Sequence, residues 1–259
     1  MKDKLSIIKI GGNVVNSAPD LDRFLEDFAA LEGYKMLVHG GGKIASELAI
    51  TLGLEPKMAG GRRITDEQTL DVVTMVYAGL LNKKIVSKLQ GLDCNAIGLS
   101  GADGNSIRAH KRVVKDLDYG FAGDVDEVDS NMIESLLKSG LSPVFCAITH
   151  DKKGQLLNTN ADTIASELAK ALSRNFDVEL IYCFEKLGVL EDVNDDNSVV
   201  ESLNKNKYDQ MKELGQIAEG MLPKLKNCFE ALEKGVTRVK IGSPDLLRHS
   251  HIKHTTLTL

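Results

Sequence analysis

The feature that most constrains the fold of this chain is its alternation of short apolar runs with longer segments of helical period. Six runs rich in β-branched residues have the length of strands; they cover residues 5–10, 35–39, 95–99, 143–149, 178–183 and 238–241. Such alternation is typical of crossover units around a mainly parallel sheet. Because several runs are almost wholly apolar, we expect helices to cover both faces of the sheet. The pattern therefore predicts the α/β class.

The segments between these strands predict helices with one apolar stripe. They cover residues 20–31, 44–52, 66–81, 132–137, 162–172, 208–214 and 221–232. Residues 110–129 break into short polar pieces, which predict a hairpin region outside the parallel core. Residues 190–206 are rich in Asp, Asn and Ser and predict a mobile surface loop.

Composition narrows the class of function. The chain has 259 residues, 42% of them apolar, which suffices for one large or two coupled globular units. Its net charge of −5 and its lack of a long basic run argue against a nucleic-acid partner. No run approaches the roughly 20 apolar residues that span a bilayer, and the N-terminus lacks the features of a signal peptide. We therefore expect a cytoplasmic protein without a membrane partner.

Cysteine and histidine spacing gives no metal site. The four cysteines lie far apart without a C-x-x-C pair, and the six histidines form no H-x-x-x-H pattern. The sequence therefore predicts neither a disulfide nor a protein-bound metal. The cysteines are expected to be small buried apolar residues.

Two predicted strands end in glycine where the chain should turn into a helix. Gly11 and Gly12 follow the first, and residues 40–42, all glycine, follow the second. Glycine lets the backbone approach a ligand, and successive N–H groups at a helix start form an anion site. Both turns fall at the carboxyl ends of strands, where open parallel sheets bind ligands. The paired turns favour a polyphosphate ligand over two ordinary tight turns.

Residues 40–45 also satisfy the loose dinucleotide fingerprint G-x-G-x-x-A, which makes a nicotinamide dehydrogenase an alternative. That fingerprint requires an acidic residue about 20 positions further on. Residues 60–65 form a glycine and arginine loop instead. The P-loop motif and the His-Arg-Asp triplet of protein kinases do not occur in the sequence.

Two lysines and one carboxylate are candidates for phosphoryl-transfer chemistry, which requires positive charge around the phosphoryl oxygens. Lys9 lies in an otherwise apolar strand, a costly place for a charge unless it serves an anion. Lys224 falls in the first turn of the last long helix, where the helix dipole disfavours a cation. Asp162 could pair with both lysines or could simply cap the helix that follows it. Arg63 and Asn158 would then be free to hold an acidic substrate.

Seven short segments, spread over nearly the whole chain, resemble the motifs of the amino-acid kinase family in content and order. They are residues 9–12 (KIGG), 38–42 (VHGGG), 61–65 (GRRIT), 98–104 (GLSGADG), 123–125 (GDV), 158–162 (NTNAD) and 220–224 (GMLPK). The resemblance is strongest to the branch that phosphorylates N-acylated glutamate. It implies the carbamate kinase-like fold, a three-layer α/β/α sandwich with a mostly parallel central sheet and two lobes. Residues 1–174 would bind the acyl amino acid and form a homodimer, and residues 175–259 would bind ATP.

The same resemblance implies a role for each candidate site residue. Lys9 and Lys224 would stabilise the transferring phosphoryl group, and Asp162 would orient them. The reaction would phosphorylate the γ-carboxylate of N-acetyl-L-glutamate, a step of arginine biosynthesis, with Mg²⁺ carried by the ATP phosphates. The acyl amino acid would be bound by Gly41, Gly42, Arg63 and Asn158, and the nucleotide by Gly11, Gly12 and Gly188.

Some positions depart from the family pattern. Residues 184–190 read FEKLGVL, which differs on the nucleotide side, and Lys43 stands where proline is usual. Arg62 adds a second positive charge beside Arg63, so the more acidic N-succinylglutamate is a second hypothesis for the substrate. Because the first strand begins almost at Met1, we do not expect the arginine-responsive hexamer that is built on an N-terminal helix. Another phosphotransferase of the family and a non-catalytic ATP-binding sensor remain the alternatives.

Overall fold

The computed structural model describes residues 2–192, 194–217, 221–249 and 251–259. The strands among them are β1 Asp3–Ile10, β2 Tyr34–His39, β3 Lys57–Ala59, β4 Arg62–Ile64, β5 Ala96–Leu99, β6 Ile107–Lys111, β7 Ala122–Val128, β8 Ser142–Cys146, β9 Ile148–His150, β10 Leu156–Thr159, β11 Phe176–Cys183, β12 Ser202–Asn204, β13 Arg238–Gly242 and β14 Thr255–Thr258.

The described α-helices are α1 Gly12–Asn16, α2 Ala18–Ala30, α3 Gly42–Thr51, α4 Glu67–Thr74, α5 Asn82–Gln90, α6 Ser130–Lys138, α7 Ala161–Leu172, α8 Lys205–Glu213 and α9 Leu222–Glu233. A π-helical segment, Met75–Leu81, joins α4 to α5, and single 3₁₀ turns cover Asp103–Asn105 and Pro244–Leu247. Within the described ranges, no helix combines the length and the apolar character needed to cross a membrane.

Eight strands form one sheet in the order β12–β14–β13–β11–β1–β2–β8–β5. The six strands from β13 to β5 are parallel, and β14 runs antiparallel to β13. Helices pack on both faces, so the predicted three-layer α/β/α sandwich is confirmed. All six predicted strands are present, with the run 143–149 divided into β8 and β9. Residues 175–259 supply β11–β14 on one side of the sheet; their assignment to a separate functional lobe stays a prediction.

Each face of the sheet carries its own apolar core. Since neighbouring side chains of a strand point to opposite faces, Leu5 of β1 belongs to the core beneath α6–α9 and Ile8 to the core beneath α1–α5. The same alternation sends Lys9 to the α6–α9 face. In β2 it sends His39 to the opposite face, where α5 lies.

The hairpin predicted over residues 110–129 is confirmed, because β6 and β7 pair antiparallel. Together with β9 and β10 they close a small barrel outside the eight-stranded sheet. β10 ends at Thr159, and α7 begins two residues later at Ala161. The barrel therefore places the segment that contains Asn158 and Asp162 beside the ends of the central strands.

The predicted loop over residues 190–206 is wrong in part. Leu190 and Val199 form an isolated bridge, β12 adds an edge strand, and α8 begins before the predicted loop ends. Leu203 is fully buried, and its burial stabilises a strand whose other two side chains are exposed and polar. Residue 193 lies outside the described residues, and mobility stays a prediction.

Three helical segments also differ from the predicted pattern. The sequence predicted one helix over residues 66–81, but its second half is π-helical. Neither α1 nor α5 was predicted. α5 has a mostly polar surface, which hides the stripe formed by Ile85 and Leu89.

Candidate active site

The site lies at the carboxyl edge of the central sheet. β1, β2, β8 and β11 are parallel neighbours, so their ends meet there. The residues that follow these strands are Gly11, Gly40, Ala147 and Phe184. Ligands of open α/β sheets bind at this edge, and the predicted site residues are indeed gathered around it.

Lys9, Asp162 and Lys224 converge although they come from three distant parts of the chain. The Lys9 Nζ is 2.6 Å from Asp162 Oδ1, and the Lys224 Nζ is 4.0 Å from Asp162 Oδ2. Only 8% of Lys9 is exposed, so this pair is largely removed from water. One carboxylate between two ammonium groups leaves a net positive charge, which suits a polyphosphate.

Asp162 is not the cap of α7. The Asn160 side-chain oxygen accepts hydrogen bonds from the N–H groups of Asp162 and Thr163, at 2.8 and 3.1 Å. Asn160 therefore caps the helix, and the Asp162 carboxylate is left for the lysines. The Tyr182 hydroxyl donates to the Asp162 carbonyl oxygen at 3.1 Å and so ties the first turn of α7 to β11.

Phe184 forms an aromatic floor under both lysines. Its ring centroid is 5.3 Å from the Lys9 Nζ and 4.2 Å from the Lys224 Nζ, and the ring stacks on Tyr182 at 6.0 Å. An aromatic face attracts a cation. The pKa of Lys224 is nevertheless lowered, chiefly by burial and also by the charge of Lys9, while Asp162 acts in the opposite direction. The sequence identified residue 184 only as a departure from the family pattern.

A cavity of about 190 Å³ lies beside this cluster and is lined by all four predicted substrate residues: Gly41, Gly42, Arg63 and Asn158. Arg63 is 7% exposed, and its Nη2 donates to the Gly42 carbonyl and the Ser46 hydroxyl, each at 2.8 Å. Its Nη1 is buried without a hydrogen-bond partner in the described part of the chain. A fixed guanidinium with a spare donor is suited to binding a carboxylate.

Neighbouring side chains fix two of the residues that line this cavity, Asn158 and Gly41. The Asn158 Nδ2 donates to the Thr65 hydroxyl at 3.0 Å, which fixes its amide against β4. Gly41 has φ +156°, and a Cβ atom there would lie 2.3 Å from Leu81 Cδ1 and 3.0 Å from the Tyr77 ring. Only glycine therefore fits. Tyr77 was missed from the sequence, because it lies within an ordinary apolar helical stripe.

The nucleotide residues predicted from the sequence line two cavities on the other side of the lysines. Gly11, Gly12 and both lysines line one of about 480 Å³. Gly188 lines a second, of about 280 Å³, whose other walls include Val189 and Ile217. Phe184 and Lys224 belong to both, so the two cavities adjoin.

One expectation about the glycines needs correction. The Gly11 N–H donates to the Cys183 carbonyl at 3.1 Å and extends the pairing of β1 with β11, so it is not available to a phosphate. Gly12 begins α1 and remains the candidate donor. Packing also requires glycine at position 188, because a Cβ atom there would lie only 2.6 Å from Thr255 Oγ1. Residue 220 of the 220–224 motif lies outside the described residues.

A fourth cavity, of about 420 Å³, connects the two sides. It shares Gly61 and Arg62 with the Arg63 cavity and Lys224 with the nucleotide-side cavities, and Asp162 forms part of its wall. The lysine cluster therefore stands between the Arg63 cavity and a larger cleft. Among the described residues there is no group of three or more His, Cys, Asp or Glu side chains placed to hold a metal ion.

Comparison with known proteins identifies the family of this chain. Residues 4–243 match the model of the amino acid kinase family, and the chain belongs to that family. The acetylglutamate kinase of Phocaeicola vulgatus is 56% identical over 241 residues, which cover 93% of this chain and 94% of the relative. The acetylglutamate kinase of Bacteroides fragilis is 55% identical and is covered to 92%, again over 93% of this chain. Membership of this family rules out the alternative that the protein is a nicotinamide dehydrogenase.

Solved structures show the same fold. A protein of Streptococcus mutans has a TM-score of 0.78 at 25% identity, with 98% of each chain covered. Carbamate kinase from Giardia lamblia bound to AMP-PNP has a TM-score of 0.70 at 14% identity, with 99% of this chain and 98% of that chain covered. At that identity the second likeness shows the fold alone.

Proposed function

We propose that this protein transfers the γ-phosphoryl group of ATP to the γ-carboxylate of an N-acyl-L-glutamate, as a step of arginine biosynthesis. The observation that carries the proposal is the position of the Lys9–Asp162–Lys224 cluster between the Arg63 cavity and the nucleotide-side cleft. The relatives named acetylglutamate kinase support the same reaction. Intact lysines and carboxylate argue against a non-catalytic ATP-binding sensor.

The proposed reaction gives each group a task. Arg63 holds the α-carboxylate of the acceptor through its spare Nη1, with Asn158 beside it. The γ-carboxylate then faces the cluster and attacks the γ-phosphorus of ATP; the bond to the β,γ-bridging oxygen breaks, and ADP leaves with its electron pair. Lys9 and Lys224 neutralise the charge on the transferring oxygens. The acceptor carboxylate is already ionised at neutral pH, so Asp162 orients the lysines and does not act as a base.

Mg²⁺ would arrive on the nucleotide phosphates and supply further charge neutralisation there. On the protein side, Gly12 at the start of α1 and Gly188 in the adjoining cavity are the proposed nucleotide contacts. The division into an acylglutamate lobe (1–174) and an ATP lobe (175–259), the homodimer and the cytoplasmic location stay predictions.

A specific observation favours N-succinylglutamate as a second candidate acceptor. Arg62 lines the same cavity as Arg63. Its pKa is lowered by burial and by the charge of Arg112, with the charges of Asp124 and Asp162 opposing. A partly buried cation with a like charge nearby would gain from a second carboxylate on the acyl group, which acetyl lacks.

The first experiment measures ADP release with ATP and Mg²⁺ and either N-acetyl- or N-succinyl-L-glutamate, with hydroxylamine to trap the acyl phosphate. We expect a hydroxamate with at least one acceptor. If succinyl is preferred, Arg62→Leu should lower its kcat/KM about tenfold and leave that of the acetyl compound nearly unchanged, since a hydrogen bond to a charged group contributes about 1.5 kcal/mol or more. A folded protein that binds ATP but releases no ADP with either acceptor would contradict the proposed function.

Arg63→Lys should raise the KM for the acylglutamate about 10- to 100-fold while the KM for ATP stays within about twofold. The single nitrogen of a lysine cannot occupy the place of Nη2 beside Gly42 and Ser46 and also the place of Nη1, where the carboxylate would bind. Steady-state kinetics with each substrate varied in turn measures this split. Arg108→Lys, a surface arginine on β6 paired with Glu127, is the matched control; an equal rise in both KM values for Arg63→Lys would argue against its role in acceptor binding.

A further inference from the structure

His39 is a buried histidine directly before the glycine turn that lines the acceptor cavity. Its side chain is fully buried at the end of β2, on the α1–α5 side of the sheet. It lines none of the cavities described above, and the reaction derived from them does not use it. One of its two hydrogen bonds nevertheless ends on the backbone of that turn.

Hydrogen-bond chemistry fixes the protonation of the ring. The Nδ1 atom lies 2.8 Å from the Gly40 carbonyl oxygen, and a carbonyl can only accept, so Nδ1 carries the proton. The Nε2 atom lies 3.2 Å from Asn82 Nδ2, which also donates to the Val144 carbonyl at 2.9 Å. Both amide hydrogens of Asn82 are thereby used, and Nε2 accepts. Burial lowers the pKa of His39 to about 4, so the ring is neutral at physiological pH.

Neighbouring elements place the Asn82 amide beside the His39 ring. Asn82 begins α5 directly after the π-helical segment, whose wider turn aligns residues five apart. Asn82 therefore lies one π-helical turn after Tyr77, which packs together with Leu81 against Gly41. On the far side, Gly98 leaves room for the amide: a Cβ atom there would lie 1.9 Å from Asn82 Oδ1.

A fixed carbonyl determines the direction of the next amide. The C=O and N–H groups of a planar trans peptide point in opposite directions. Since the Gly40 carbonyl points at His39, the N–H of Gly41 points away from it, and Gly41 lines the acceptor cavity. Within the described residues, no backbone hydrogen bond engages this N–H.

We propose that His39 is a positioning residue, which holds the Gly40–Gly41 peptide so that the Gly41 N–H donates to the acceptor. Asn82 keeps the ring in the required tautomer. This role rests on the proposed function. Glycine turns are conformationally free, and a misdirected peptide would weaken acceptor binding and in-line attack without touching the nucleotide.

The test compares two amides that differ in reach. The Asn nitrogen in His39→Asn can occupy the place of Nδ1, whereas that of His39→Gln reaches the place of Nε2 and loses the bond to Gly40. We expect His39→Gln to lower kcat/KM for the acylglutamate on the order of 10- to 100-fold. His39→Asn should recover most of this loss. The KM for ATP should stay within about twofold in both, and thermal unfolding checks that each variant folds.

Wild-type turnover, measured in parallel, separates the two proposals. If wild type is active and both variants keep its kcat/KM for the acylglutamate, or if both lose acceptor and ATP affinity equally, the positioning role is overturned. A wild type without turnover overturns the proposed function and this role with it. Should His39→Gln fail to fold, Asn82→Ser removes the donor to Nε2 while keeping His39. It should raise the acceptor KM about threefold or more, and an unchanged acceptor KM overturns the inference.

Discussion

Replacing Lys9 by Met should abolish nearly all turnover and also destabilise the fold. We expect kcat to fall about 10³-fold, because the removed charge acts where negative charge develops on the transferring oxygens. The free energy of unfolding should fall by about 3 kcal/mol, because the Asp162 carboxylate stays buried and loses its partner at 2.6 Å. Lys224, at 4.0 Å and partly in solvent, compensates incompletely.

A double variant separates the two effects. Lys9→Met with Asp162→Asn removes the uncompensated carboxylate, so urea unfolding should show most of the lost stability restored. Turnover should stay as low as in Lys9→Met, since the positive charge is still absent. A Lys9→Met protein that is fully active would remove Lys9 from the reaction. One that is inactive but as stable as wild type would contradict the description of the pair as buried and mutually dependent.

The fold could be predicted from the sequence where burial is two-sided. The central strands are covered on both faces, so several are almost wholly apolar runs of strand length, bounded by turn residues. The edge strand β12 could not be found, since only Leu203 of its three residues is buried. The π-helical turn between α4 and α5 has no signature in the apolar period, and its Tyr77 and Leu81 pack against Gly41, which is distant in sequence.

The candidate site, too, could be predicted from the sequence only in part. Lys9 and Lys224 stand out because each charge contradicts its local surroundings, an apolar strand and a helix N-terminus. From the sequence, Asp162 could either cap α7 or pair with the lysines, and only the structure shows that Asn160 is the cap. Phe184 and His39 resemble ordinary core residues, and their roles depend on partners that are distant in sequence.

Lys224→Met should separate activity from stability, in contrast to Lys9→Met. The Lys224 side chain is 33% exposed and only 4.0 Å from Asp162, whose closer partner Lys9 remains. Burial lowers the pKa of Lys224, so the charged side chain costs the folded protein some stability relative to the unfolded chain, and its removal should not destabilise the fold. The first turn of α9 is likewise unfavourable for a cation. The free energy of unfolding should therefore change by less than about 1 kcal/mol, while kcat falls about 10²- to 10³-fold.

Lys226→Met is the matched control, two residues further along the same helix. Its side chain is 71% exposed and pairs only loosely with Glu230 at 3.8 Å, so turnover and urea midpoint should both stay at the wild-type level. A loss of turnover in both variants would point to a general effect on α9. Unchanged turnover in Lys224→Met would remove this lysine from the site and leave Lys9 as the cation that faces the phosphoryl group. Only a loss confined to Lys224 shows that the cluster needs two positive charges around one carboxylate, which is the arrangement expected if the second charge serves the substrate rather than the fold.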